Sequence, residues 1–207
     1  MREGYACYLL RCKIVDSLHA PYCMPISEFQ QFFDDCVGNW STERTYHYLT
    51  QQEVERSHTK FVVEPITESL KLKVLADNAF SVPPNVNSLP GYHLKFETVS
   101  EKGEKVSQQL NMLFVTQEQE SNSLQGKYLR DRAYEEERPI IADFRFDNTK
   151  RELLMTTKYT RVIAVDSITM INPSLRIRRI LTYRRPTEGE TLSDVVLVGF
   201  GVEQKGI

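Results

Sequence analysis

From Trp40 to Glu203 the sequence alternates apolar and polar residues with a period of two, and turn formers interrupt it at short intervals. The segment NWSTERTYHYL at 39–49 puts Trp40, Thr42, Arg44, Tyr46 and Tyr48 on one face. Ser41, Glu43, Thr45, His47 and Leu49 fall on the other. HTKFVVEP, YHLKFETV, QLNMLFVTQ, SLQGKYLRDRAY, RPIIADFRF, ELLMTTKYTRV, DSITMI, SLRIRRILTYR and LSDVVLVGFGVEQ continue the pattern. Gly103, Gly126, DNTK at 147–150, NPS at 172–174 and TEGE at 187–190 separate them. About ten short strands in a row would leave two unpaired edges, which closure into an antiparallel barrel removes. The expected fold class is therefore all-β, a barrel wide enough to hold one small ligand.

Ahead of the strands, PISEFQQFFDDCV at 25–37 reads as a helix. Ser27 and Gln30 have capping-box spacing, Gly38 supplies a stop, and Phe29, Phe32, Phe33 and Cys36 form one apolar stripe for packing. ITESLKLKVLADNAF at 66–80 reads as a second short helix, followed by an irregular loop at 81–91. The expected organisation is a loosely ordered extension over 1–24 and a single barrel domain over 25–207.

The 207 residues carry a net charge of −2, which speaks against a dedicated nucleic-acid binder with a broad basic face. Acidic runs such as Glu135, Glu136 and Glu137 offset the arginines. No apolar run approaches the ~20 residues of a membrane-crossing helix. The first segment, MREGYACYLLRCKIVDSLHAP, has its apolar patch broken by Arg11 and Lys13 and does not read as a signal peptide. It reads as an extension, or as the product of an upstream start codon. Cys7, Cys12, Cys23 and Cys36 crowd the first fifth of the chain without metal-type spacing, as free thiols of a reducing compartment would.

One stretch runs against the barrel pattern. MINPSLRIRRILTYRR at 170–185 sets Arg176, Arg178, Arg179, Arg184 and Arg185 among Leu175, Ile177, Ile180, Leu181 and Tyr183. A guanidinium cannot escape burial by losing its proton, so inward arginines need an anionic partner. Arg176 and Arg178 are two apart and share a face with Ile180 and Thr182. The residues alone leave two readings open, a solvated outer face or a carboxylate-binding pocket. Arg179, Arg184 and Arg185 belong outside or at the strand end.

Three segments together resemble a known family. They are FFDDCVGNWSTERTYHYL at 32–49, LQGKYLRDRAYEEERPIIADF at 124–144 and INPSLRIRRILTYRR at 171–185. A helix ending in Gly-x-Trp, then Arg-Thr, Gly-Lys-x-Leu-Arg and Pro-x-Leu-Arg-x-Arg follow in the order seen in the S/U-type phycobiliprotein lyases, the CpcS/CpeS family. The resemblance implies a lipocalin-like (calycin-type) barrel of about ten strands that binds a linear tetrapyrrole, or bilin. It implies an enzyme that assists thioether attachment of the bilin to a cysteine of a phycobiliprotein subunit, with no metal or other cofactor. It implies residence in the cytoplasm of a cyanobacterium, or in an algal plastid.

A bilin has two propionates and a flat apolar body. The ligand-binding candidates are therefore Arg176 and Arg178, with Arg130, Arg44, Trp40 and Tyr46. Arginine forks suit carboxylates, and aromatic faces stack on rings. For Trp40 the competing reading is a plug of the barrel bottom, with Arg44 held on it by a cation–π contact. For Arg130 the competing partner is a neighbouring carboxylate. The bilin's reactive carbon becomes more electrophilic when the pyrrole nitrogens are protonated, and a carboxylate beneath the rings stabilises that cation. Asp166 is the candidate for this catalytic role, against its reading as a strand-end turn residue. The nucleophile is the acceptor subunit's thiol. Family members tend to carry acidic–Arg–aliphatic–Trp–Phe before the Pro-x-Leu-Arg-x-Arg motif, where this chain has VDSITMINP, with Ser167 for Arg and Thr169 for Trp. That departure leads to an expected dependence on a paralogous lyase subunit or a homodimer. The rival function is a non-catalytic carrier of an apolar carboxylate such as a fatty acid.

Overall fold

The computed structural model describes residues 25–132, 138–187 and 189–206. The extension at 1–24 with Cys7, Cys12 and Cys23, and the acidic run Glu135–Glu137, lie outside the described residues. Helix α1 (Pro25–Cys36) leads into ten strands. They are β1 (Gly38–Tyr48), β2 (Glu53–Pro65), β3 (Gly91–Ser100), β4 (Lys105–Gln119) and β5 (Ser123–Arg130). After them come β6 (Ile140–Asp147), β7 (Glu152–Lys158), β8 (Val162–Asn172), β9 (Leu175–Arg184) and β10 (Val195–Lys205). Each strand pairs antiparallel with its neighbours in sequence, and β1 also pairs with β10, Trp40 opposite Lys205 and Tyr48 opposite Leu197. The meander is thus a closed barrel without free edges, as the period-two pattern required.

The helix starts at Pro25, ahead of Ser27, so the expected capping box is not the device that begins it. Gln30 Nε2 instead donates to Asp34 Oδ1 at 2.8 Å. Gly38 does act as the stop: its φ of 125° is a conformation that side chains disfavour, and it turns the chain directly into β1. The apolar stripe of α1 closes one end of the barrel. Phe29 stacks on Phe144 at 5.3 Å, Phe32 meets Phe146, and Phe33 packs on Phe114 and Tyr92. These aromatics, with Trp40 and Leu153, make the main core.

A second helix, α2 (Glu68–Asp77), lies within the stretch where one was expected. Its Val74 and Leu75 pack against Leu113, Val115 and Leu129, on the outer face of β4 and β5. Covered on both sides there, β4 reads Leu-Phe-Val at 113–115 without alternation. On the inner face, Gly126 of β5 has no alternative residue. A Cβ would lie 2.1 Å from the Val115 carbonyl oxygen and 2.8 Å from Phe144 Cε1.

Register decides what the barrel contains. The inner faces of β4 to β7 present Phe114, Tyr128, Phe144, Phe146, Leu153 and Met155, all buried. Those of β8, β9, β10 and β1 present Asp166, Arg176, Arg178, Glu203, Thr42 and Arg44. The interior is therefore two-sided, aromatic on one wall and charged on the other. Several strand limits differ from expectation, and two of them bear on the site. β5 ends at Arg130, before Tyr134, because the Asp131 carboxylate turns back to the backbone and side-chain nitrogens of Asn111. β8 begins at Val162, which places Asp166 in mid-strand rather than at a turn.

Candidate functional site

Arg176 and Arg178 both point into the barrel, which decides against a solvated outer face. They have different surroundings. Arg176 is only 5% exposed, and its Nε donates to Glu203 Oε2 at 2.5 Å. Its Nη1 donates to Cys36 Sγ at 3.1 Å, and the guanidinium lies 4.5 Å from the Trp40 ring centroid and 5.1 Å from that of Phe61. Arg176 is thus spent on the plugged end. Arg178, nearer the open end, clasps Asp166: Nε reaches Oδ1 at 2.9 Å and Oδ2 at 3.1 Å, and Nη2 also bonds Oδ2. Both members of that pair keep some solvent exposure, so a ligand can reach them.

Glu203 joins the arginines. It is wholly buried, and its second oxygen accepts from Arg44 Nη2 at 3.2 Å. Burial pushes its pKa up, but the guanidiniums of Arg176, Arg178 and Arg44 outweigh burial and hold the carboxyl below the ordinary glutamate value. Arg44 therefore serves Glu203, and the cation–π contact expected between Arg44 and Trp40 is made by Arg176 instead. Trp40 is the plug: 2% exposed, it donates from Nε1 to the Cys36 carbonyl at 2.8 Å and stacks on Phe61. Cys36 is a buried thiol whose pKa is raised, burial outweighing the neighbouring Arg176. It is poorly suited to nucleophilic work.

Tyr46 faces inward above Arg44, and two glycines of β10 make room for both side chains. A Cβ at Gly199 would lie 2.8 Å from the Tyr46 ring, and one at Gly201 would lie 3.0 Å from the stem of Arg44. Arg44, Tyr46, Arg178, Ile180, Phe200 and Gly201 line a narrow recess whose side chains leave no room for a water molecule. A second hollow of about 430 Å³, bounded by Trp40, Phe61, Phe96, Lys60, Lys95 and Glu97, shares no residue with it.

Arg130 stands apart. It lies on β5, across the barrel, where Nη2 donates to the Tyr159 hydroxyl at 2.9 Å and the guanidinium sits between the rings of Tyr128 and Tyr159. Arg44, Tyr46, Asp166, Arg176 and Arg178 thus form one cluster with Trp40 beneath it. Arg179 and Arg184 are outside as expected, paired with Glu152 and Asp194, and Arg185 bonds the Tyr159 carbonyl.

Residues 28–205 match the family model described as CpeS-like protein. The chain belongs to the CpeS-like family. Chromophore lyase CpcS/CpeS 1 of Synechococcus sp. (strain JA-3-3Ab) is 58% identical over 182 residues, 87% of this chain and 97% of that protein. Phycocyanobilin lyase subunit CpcS of Picosynechococcus sp. (strain PCC 7002) is 22% identical, covering 73% of this chain and 76% of that one. Among solved structures, the S-type phycobiliprotein lyase CPES from Guillardia theta superposes with a TM-score of 0.68 at 17% identity. It covers 86% of this chain and 93% of its own, and so shares the barrel fold.

Sequence reasoning missed two features of this cluster: Glu203 and the two glycines of β10. Glu203 ends the last strand pattern and looks like surface charge there; only its register opposite Arg176 reveals it. Gly199 and Gly201 share a period-two face, which is the signal for a crowded inner wall. Among the described residues no helix is long and apolar enough to cross a membrane.

Proposed function

We propose that this chain is a chromophore lyase that binds a linear tetrapyrrole and assists its thioether attachment to a cysteine of a phycobiliprotein subunit. The observation that carries this reading is the inward, part-exposed pair of Arg178 and Asp166 beside Arg44, which can take the carboxylates and pyrrole nitrogens of a tetrapyrrole. The 58% identical relative, whose name is chromophore lyase, supports the same assignment.

The chain's own residues act by positioning. Arg178 offers charge-assisted donors to a carboxylate, and Asp166 places negative charge where protonated pyrroles need it. Arg178 and Asp166 orient each other bidentately, so neither has to be ordered when ligand arrives. The acceptor thiol attacks the reactive carbon of the bilin, and this chain holds and shields the bilin while it does. We read the reaction as needing no resident metal or cofactor, and the site of action as the cyanobacterial cytoplasm or an algal plastid. Ser167 and Thr169, at positions where family members tend to carry Arg and Trp, support dependence on a paralogous subunit or a homodimer. Both now have structural settings: Ser167 Oγ donates to Glu152 Oε1 at 2.5 Å, and Thr169 faces outward opposite Ile177.

The test mixes purified protein with phycocyanobilin or with a fluorescent fatty acid, then adds an apo-phycobiliprotein subunit. A red-shifted bilin spectrum followed by covalent transfer supports the lyase. Fatty-acid binding without a bilin shift would assign the barrel to apolar carboxylate transport.

A further inference from the structure

Arg44 Nε and Ser57 Oγ are both buried, and neither has a hydrogen-bond partner among the described residues. They belong to residues that face each other in register across β1 and β2. Ser57 is only 3% exposed. The hydroxyls around it are engaged: Thr59 and Thr98 bond each other at 2.9 Å, and Ser100 Oγ accepts the Glu104 N–H at 3.2 Å. The rest of the Arg44 guanidinium is turned to Glu203 through Nη2. Buried donors are nearly always satisfied in a folded protein. Two orphans on residues facing each other in register mark a place where something else completes the bonds.

The chemistry of that partner follows from the donors. An Nε–H and a hydroxyl can converge on one acceptor oxygen, and a guanidinium favours one that carries negative charge. Arg44, Arg176 and Arg178 already outnumber Glu203 and Asp166 in this cluster, so an added anion is not repelled. Building on the lyase reading, we propose that Ser57 and Arg44 Nε hold one oxygen of the bound tetrapyrrole, in a subsite that adds Ser57 to the binding residues. Two groups of a bilin offer such an oxygen, a propionate and a terminal lactam carbonyl.

Ser57→Ala separates this role from an idle hydroxyl. Deleting an unsatisfied buried hydroxyl should leave the melting temperature of the unliganded protein unchanged or raise it. If Ser57 holds ligand, the same change weakens phycocyanobilin binding about tenfold. Titration with the free acid and with the dimethyl ester identifies the oxygen. A loss confined to the free acid assigns the propionate, and an equal loss with both assigns the lactam carbonyl. Parent-like binding of both forms by Ser57→Ala overturns the subsite while leaving the lyase reading standing. A parent protein that gives no bilin shift overturns both. A drop in melting temperature with unchanged affinity would make Ser57 structural and also refute the subsite.

Discussion

Arg176 and Glu203 stand opposite each other in register on β9 and β10, and their side chains meet inside the barrel at 2.5 Å. Glu203 also holds Arg44. The buried carboxylate thus ties the plugged end, through Arg176, Cys36 and Trp40, to Arg44 on β1.

Removing Arg176 should therefore act on stability first. Arg176→Ala leaves Glu203 buried with one guanidinium fewer, a defect of about 3–5 kcal/mol. Urea denaturation should show that loss, whereas Arg185→Ala, at an exposed strand end, should change the midpoint little. Equal midpoints for Arg176→Ala and the parent would refute the role assigned to the pair.

Arg178→Ala should behave differently. Its guanidinium is partly exposed and, among the described residues, hydrogen-bonds the part-exposed Asp166, so the fold should tolerate the change. Bilin affinity should fall about tenfold or more, the scale of one charge-assisted hydrogen bond. Absorbance titration measures it, and parent-like affinity would remove Arg178 from the site.

Asp166→Asn keeps the shape and deletes the charge. The variant should still bind bilin but lose much of the long-wavelength band that marks protonated pyrroles, and its attachment rate to an apo-subunit should fall with it. An unchanged band and rate would strip Asp166 of its catalytic assignment.

The pH dependence has a definite sign. Glu203 has a folded-state pKa held below the ordinary glutamate value of 4.5. The resulting stability is fully present above that value and is lost as pH falls through the lower value of the folded state. Unfolding midpoints measured from neutral pH downward should decline on the acid side, and Glu203→Gln should flatten that decline from a lower starting point.

Gly199→Ala places a methyl group 2.8 Å from the Tyr46 ring. Overpacking of this kind costs about 1–3 kcal/mol and should push Tyr46 out of its place on the inner wall. Circular-dichroism melting and bilin titration should both report the change, while Gly103→Ala, at a turn with open space around it, should leave bilin binding alone.

Much of the architecture was written locally. Alternation along each segment marked the strands, the stripe Phe29, Phe32, Phe33 and Cys36 marked the plugging helix, and Gly38 marked its end, because each depends on residues a few positions apart. The same locality showed that Arg176 and Arg178 share a face. Their division of labour was not local. It depends on Glu203, 27 positions along from Arg176, and on Asp166, 12 positions before Arg178, which only strand register brings alongside. Closure of β1 onto β10 then sets Arg44 between Ser57 and Gly201 and turns it from the tryptophan to the glutamate. The sequence alone determined a barrel and a strand with Arg176 and Arg178 on one face; that this face turns inward was decided by tertiary structure. Which carboxylate neutralises each, and which donors stay open for a ligand, was decided by tertiary structure, since a buried charge answers to the nearest opposite charge in space.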